Sequence, residues 1–111
     1  MIQEKPPASV MILVGIPGSG KSTFAKKYQE LYKERNYQII TQDVLGSRNK
    51  CLDKMHELLE NGKSVIIDRC NVTVEQRDWW IQAAMYHNVN LIQCVVLEVD
   101  DQEAIAQIEL R

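Results

Sequence analysis

The stretch Gly15-Ile16-Pro17-Gly18-Ser19-Gly20-Lys21-Ser22-Thr23 constrains this chain more than any other. It has the spacing Gly-x-x-x-x-Gly-Lys-Ser, follows the continuous apolar run Val10-Met11-Ile12-Leu13-Val14, and opens a segment with helical periodicity. In that context the pattern is a phosphate-binding loop. Its glycines let backbone N–H groups from about Gly18 to Ser22 converge on phosphate oxygens, and the helix N-terminus adds partial positive charge. The nucleotide-binding residues expected from the pattern are Gly15, Pro17, Gly18, Ser19, Gly20, Lys21, Ser22 and Thr23. Lys21 is expected to reach the β- and γ-phosphates of a nucleotide, and the Ser22 hydroxyl to ligate Mg2+.

The remainder alternates between short apolar runs and helical stretches. Phe24, Tyr28, Leu31 and Tyr32 recur at spacings of three and four, which predicts a helix from Lys21 to about Arg35. YQIIT is a second strand, residues 51–59 a second helix closed by Asn61-Gly62, and SVIID, residues 64–68, a third strand. Thr73 and Gln76 form a capping-box pattern before a third helix containing Trp80, Ile81, Ala84 and Met85, and NLIQCVVLEV is a fourth strand. Asp100 and Glu103 repeat the capping pattern, so residues 101–111 are predicted to be a helix. The expected fold is a three-layer α/β phosphate-loop domain: a parallel sheet of about four strands with helices on both faces. Residues 1–9 are predicted to be a flexible lead-in and residues 10–111 the domain.

Composition narrows the function. The chain has 111 residues, 45% of them hydrophobic and 25% charged, the balance of one globular domain. A net charge of −2 argues against a broad basic surface coating long nucleic acid, while leaving local binding of a strand end open. Cys51, Cys70 and Cys94 form no CxxC pair and have no histidine at ligand spacing, so neither a zinc site nor a disulfide framework is expected, and an intracellular setting, cytoplasmic or nuclear, is. No apolar run is long enough to span a bilayer, and the start lacks the pattern of a signal peptide. His56 and His87 read as structural or solvated. Of the adjacent Trp79 and Trp80, about 100° apart on a helix, one is expected in the core and the other partly exposed.

The phosphate loop alone does not say where a phosphoryl group goes. Two acidic residues follow later strands, Asp43 after YQIIT and Asp68 at the end of SVIID, so a parallel sheet brings both to the edge that holds the phosphates. Asp68 has the setting of a carboxylate that holds magnesium directly or through water, or of a structural group. Asp43 is placed either as a base that takes a proton from an acceptor hydroxyl or as a cap of the turn in TQDVLG.

Together, GIPGSGKSTFAKKY, TQDVLGSRNKC and GKSVIIDRCNVTVEQRDWW resemble the P-loop polynucleotide 5′-hydroxyl kinases, and the kinase-like P-loop domains fused to aprataxin-like modules. The resemblance implies an ATP- and Mg2+-dependent kinase of nucleic acid repair, with the 5′-hydroxyl end of DNA or RNA as acceptor. It makes Lys21 and Asp43 catalytic, Ser22 and Asp68 the metal residues, and Asn71 a residue shaping the acceptor side. Arg69 and Cys70 depart from the family's Asp-Asn-Thr-Asn motif, and Gly46 stands where some viral relatives carry an acceptor-gripping arginine. Arg48, two residues on, is the candidate to replace it, or an ordinary solvated side chain. The family's arginine-bearing lid and last strand are expected to be missing, with Arg111 as its first lid arginine. The alternatives are a small-molecule phosphotransferase and a non-catalytic ATP-binding module of a larger protein. No Asn-Lys-x-Asp motif points to a GTPase. The sequence leaves the oligomeric state open.

Overall fold

The structure is a computed structural model that describes residues 8–16, 19–41, 47–99 and 104–110. In chain order it comprises β1 (Ser9–Val14), α1 (Lys21–Leu31), a 3-10 turn (Lys33–Arg35), β2 (Tyr37–Thr41), α2 (Arg48–Glu60), β3 (Ser64–Asp68), α3 (Val74–Tyr86), β4 (Leu91–Val99) and β5 (Ala104–Leu110). The sheet order is β2-β3-β1-β4-β5, with β1 to β4 mutually parallel and β5 antiparallel to β4.

Direction of travel explains the layers. From β1 the chain steps across β3's position to reach β2, then returns towards β4, passing over β1. Right-handed crossovers place the helix of the outward step on one face and those of the return steps on the other. Accordingly α1 covers Met11, Leu13, Tyr37, Ile66 and Val95, whereas α2 and α3 cover Val10, Ile12, Ile40, Val65 and Ile67. Successive residues of β1 therefore serve opposite cores, which is why its apolar run is continuous. Met55 of α2 and Trp80 of α3 are fully buried in the second core. Met55→Ala should lower stability by about 2–5 kcal/mol, measured by urea unfolding.

Local chemistry fixes the element ends. Ser47 caps α2 through the Lys50 amide, and Thr73 and Gln76 form both bonds of the capping box at α3. Gly62, at φ 74°, ends α2 while the Lys63 amide reaches back to the Leu58 carbonyl, a turn that an L side chain would strain. Asn88, at φ 57°, ends α3 in the same way, with Val89 bonded to the Ala84 carbonyl.

Two sequence expectations change. Residues 104–110 form a strand rather than part of a helix: β5 pairs with the outer edge of β4, Val95 opposite Ile108. The capping pattern suggested a helix, but Ala104, Ala106, Ile108 and Leu110 alternate with mainly polar positions, and an open sheet edge rewards that period of two. The strand β1 also begins at Ser9, inside the expected lead-in. Ser9 is buried, its amide donates to Ser64 Oγ at 3.0 Å, and its hydroxyl meets Tyr37 Oη at 2.6 Å. Residues 1–7 of that lead-in lie outside the described residues.

Tyr37 also stands edge-on to Tyr28, with ring centroids 5.3 Å apart. Burial, and then the neighbouring Tyr37, pushes the Tyr28 phenol up from 10.0 to about 12. A phenol raised in the folded state contributes stability that is complete below its unfolded value and is lost as pH rises through the folded one. Stability should accordingly fall between about pH 10 and 12, and Tyr28→Phe should flatten that part of an alkaline unfolding profile.

Candidate active site

The parallel register builds the site. Leu13 of β1 lies opposite Asp68 of β3, so the loop leaving β1 and the carboxylate ending β3 emerge side by side at one sheet edge. The Ser22 hydroxyl, in the first turn of α1, donates to Asp68 Oδ2 at 2.8 Å. This brings together the two residues expected to serve a metal. Both are hard oxygen donors, and Asp68 is only 8% exposed. Among the described residues no cluster of three or more His, Cys, Asp or Glu forms.

Lys21 is 9% exposed and folded back over the loop. Its Nζ donates to the Gly15 carbonyl at 2.8 Å, to the Ile16 carbonyl at 2.8 Å and to Ser19 Oγ at 3.4 Å. All three acceptors are neutral, and among the described residues no carboxylate pairs with this ammonium group. Gly20, at φ 86°, starts α1 without a capping side chain, and no acidic residue occupies the first turn. Amides of a helix's first turn have no intrahelical acceptor, so this mouth is electropositive. Thr23 is exposed in that turn. Pro17 and Gly18 lie outside the described residues, as do Asp43, Gly46 and Arg111.

Position 15 leaves little room for a side chain. A Cβ there would stand 2.5 Å from Ser19 Oγ and 3.0 Å from the Leu97 carbonyl oxygen, the latter fixed in the central part of the sheet. Gly15→Ala should cost about 1–3 kcal/mol of stability through overpacking and weaken nucleotide binding, read by thermal unfolding with and without ATP.

The loop after β3 is stitched to the phosphate loop by residues that the sequence reading did not connect. The Gly15 amide donates to the Cys70 carbonyl at 2.9 Å. Asn71 is 3% exposed and holds φ 51°, a left-handed conformation that asparagine tolerates. Its Nδ2 donates to the Leu13 carbonyl at 2.8 Å and to the Arg69 carbonyl at 3.1 Å, and its Oδ1 accepts the Trp80 indole N–H at 2.7 Å. Arg77 Nη1 clasps the Asn71 and Val72 carbonyls, each at 3.2 Å. Asn71 therefore acts by fixing the end of β1 against the loop after β3, its side chain being committed to the protein's own groups. Trp80→Phe keeps an aromatic ring in the core but leaves Asn71 Oδ1 without this donor. It should cost about 1–3 kcal/mol in a denaturant titration.

Arg48 opens α2 and is exposed, with its guanidinium carbon 4.2 Å from the Trp79 ring centroid. Trp79 is half-buried and Trp80 wholly so, the division expected for adjacent helical tryptophans. The contact gives Arg48 a fixed stacking partner at the end of α2 that faces the carboxyl ends of the strands.

This fold and this site define a P-loop nucleotide-binding α/β domain. The family model of the AAA domain matches residues 10–111, and the chain belongs to that family. It is 36% identical over 95 residues to the bifunctional polynucleotide phosphatase/kinase of Schizosaccharomyces pombe, covering 86% of this chain and 22% of that protein. It is 34% identical over 95 residues to the putative bifunctional polynucleotide phosphatase/kinase of Acanthamoeba polyphaga mimivirus, with the same coverage of 86% and 22%. The chain thus spans about a fifth of the length of these curated relatives. Among solved structures, a chain of the Pnkp1/Rnl/Hen1 complex shares the fold with a TM-score of 0.70 at 24% identity, covering 88% of this chain and 38% of that one. No described helix is long and apolar enough to cross a membrane.

Proposed function

We propose that this domain transfers the γ-phosphoryl group of ATP to the 5′-hydroxyl end of DNA or RNA. The observation that carries the phosphoryl-transfer reading is one arrangement: the Lys21 ammonium, bonded to neutral acceptors and paired with no carboxylate among the described residues, beside a 2.8 Å Ser22–Asp68 oxygen pair at the same sheet edge. The likeness to two relatives named polynucleotide phosphatase/kinase supports the choice of acceptor. When bound, Mg2+ held by Ser22 and Asp68 would neutralise charge on the β- and γ-phosphates.

The chain's own residues do the rest. The loop amides and Lys21 hold the triphosphate and stabilise charge on the transferred group. Asp43 accepts the proton of the acceptor hydroxyl as its oxygen bonds to the γ-phosphorus. The bond from that phosphorus to the β–γ bridging oxygen breaks, and ADP departs. What supports Asp43 in that role is the end of β2 at Thr41, which lies opposite Asp68 in the sheet, so the chain leaves β2 beside the metal residues. Arg48, cradled by Trp79, is the residue proposed to meet the acceptor strand.

The test is a choice of acceptors. Given ATP and Mg2+ with an equimolar mixture of a 5′-hydroxyl oligonucleotide, its 5′-phosphorylated counterpart and small hydroxyl compounds, the domain should label the 5′-hydroxyl oligonucleotide. Label on a small molecule instead would establish the small-molecule phosphotransferase. ATP binding with no labelled product would establish a nucleotide-binding module.

A further inference from the structure

The most developed side-chain cluster outside the phosphate site joins α2 to α3. His56, on α2, and His87, the C-cap of α3, are 31 positions apart, yet His56 Nδ1 and His87 Nε2 stand 2.7 Å from each other. The ring centroids are 5.0 Å apart with planes inclined at 49°, and both side chains are half-buried. Tyr86 packs edge-on against both, with ring centroids 5.8 Å from that of His56 and 5.2 Å from that of His87. Helices of a parallel α/β fold run opposite to its strands. The pair therefore lies towards the amino ends of the strands, with about 20 Å of α3 separating it from the residues at the mouth of the phosphate loop.

We propose that His56 and His87 form a bidentate site for a late first-row divalent cation, Cu2+, Ni2+ or Zn2+, that pins α2 to α3. Two neutral imidazoles whose nitrogens converge have two ways to share the space. Either one ring donates an N–H to the other, or both lone pairs point at a common metal. Imidazole nitrogen is a preferred ligand of these ions. Nitrogens bound at about 2.0–2.1 Å to one metal stand about 3 Å apart, so the rings need to part only slightly from their 2.7 Å contact. Each ring must also turn so that its lone pair leaves the N···N line and converges on the metal. Each ligating ring keeps its other nitrogen free to donate, His56 through Nε2 and His87 through Nδ1, as metal-bound histidines do. No third His, Cys, Asp or Glu joins the pair among the described residues, so water completes the coordination. The chemistry also separates this ion from the one proposed at the phosphate site. Mg2+ prefers oxygen ligands and is excluded by two imidazoles, whereas the Ser22–Asp68 pair offers oxygen only.

The experiment titrates Cu2+ into the full chain carrying Cys70→Ser, which removes the partly exposed thiol as a competing soft ligand. Electron paramagnetic resonance should show one bound Cu2+ with coupling to two imidazole nitrogens, and His56→Gln or His87→Gln should each weaken binding at least about tenfold and reduce the coupling to one nitrogen. Zn2+ should raise the midpoint of thermal unfolding of the parent and leave that of either variant unchanged, while Mg2+ should do neither. A parent spectrum with a single coupled nitrogen, or affinities in both variants within about twofold of the parent, would overturn the proposal and leave the contact as an N–H···N hydrogen bond. The nitrogen count is read on the parent and so does not depend on how well either variant folds.

Discussion

Lys21→Ala should lower phosphoryl transfer by roughly 10²–10³-fold, the usual loss when one preorganised donor to a developing negative charge is removed. The expectation follows from the side chain's setting. Lys21 is 9% exposed, and its ammonium is held by the Gly15 and Ile16 carbonyls and the Ser19 hydroxyl, three neutral acceptors that leave its full charge for a phosphate. Because the charge is needed more as the γ-phosphoryl group separates from ADP, the loss should fall mainly on kcat, with a smaller rise in the KM for ATP. Steady-state kinetics at several ATP concentrations separates the two. An unchanged kcat with only a raised KM would mean that Lys21 contributes uniform binding. The variant also leaves the Gly15 and Ile16 carbonyls without the Lys21 ammonium, so circular dichroism should accompany the kinetics.

Asp43→Asn should lower transfer by roughly 10²–10⁴-fold while leaving ATP affinity close to that of the parent. A base that takes the acceptor's proton acts in the chemical step and does not grip the nucleotide, so the two readouts should separate. The asparagine keeps the size and hydrogen-bonding reach of the side chain and removes only its ability to accept the proton. If Asp43 instead capped the turn in TQDVLG, asparagine would serve equally well, since both residues cap, and turnover would be unchanged. The same substitution thus distinguishes the two roles.

Different parts of the molecule were legible to different degrees, for physical reasons. The phosphate loop could be read because its function rests on backbone geometry that Gly15 and Gly20 make possible, and the structure supplies the reason at each: a Cβ clash at Gly15 and φ 86° at Gly20. The layers followed from alternation of apolar runs and helices, and the position of Asp68 at the edge that holds the phosphate loop from the rule that parallel strands present their carboxyl ends together. The strand β5 could not be separated from a helix, because the capping pattern at Asp100 and Glu103 announces a helix while Ala104–Leu110 carries a period of two, and the open edge of β4 decides between them.

Contacts between elements were the least legible. Trp80 reaches Asn71 only because the left-handed turn at Asn71 and the capping box at Thr73 set how α3 leaves the loop. His56 and His87 read as structural or solvated, and they meet because α2 and α3 share one face of the sheet. Nothing in the spacing of either pair announces the contact.

The activity proposed for Lys21, Ser22, Asp68 and Asp43 is transfer of phosphate from ATP to a nucleic-acid end. The most direct measurement is transfer from γ-labelled ATP with Mg2+ to a short 5′-hydroxyl oligonucleotide, run in parallel with Lys21→Ala and Asp43→Asn. Label is expected at the 5′ end of the oligonucleotide with the parent, and its near-complete loss with each variant. Label that persists undiminished in both variants, or none from a parent that binds ATP, would contradict it.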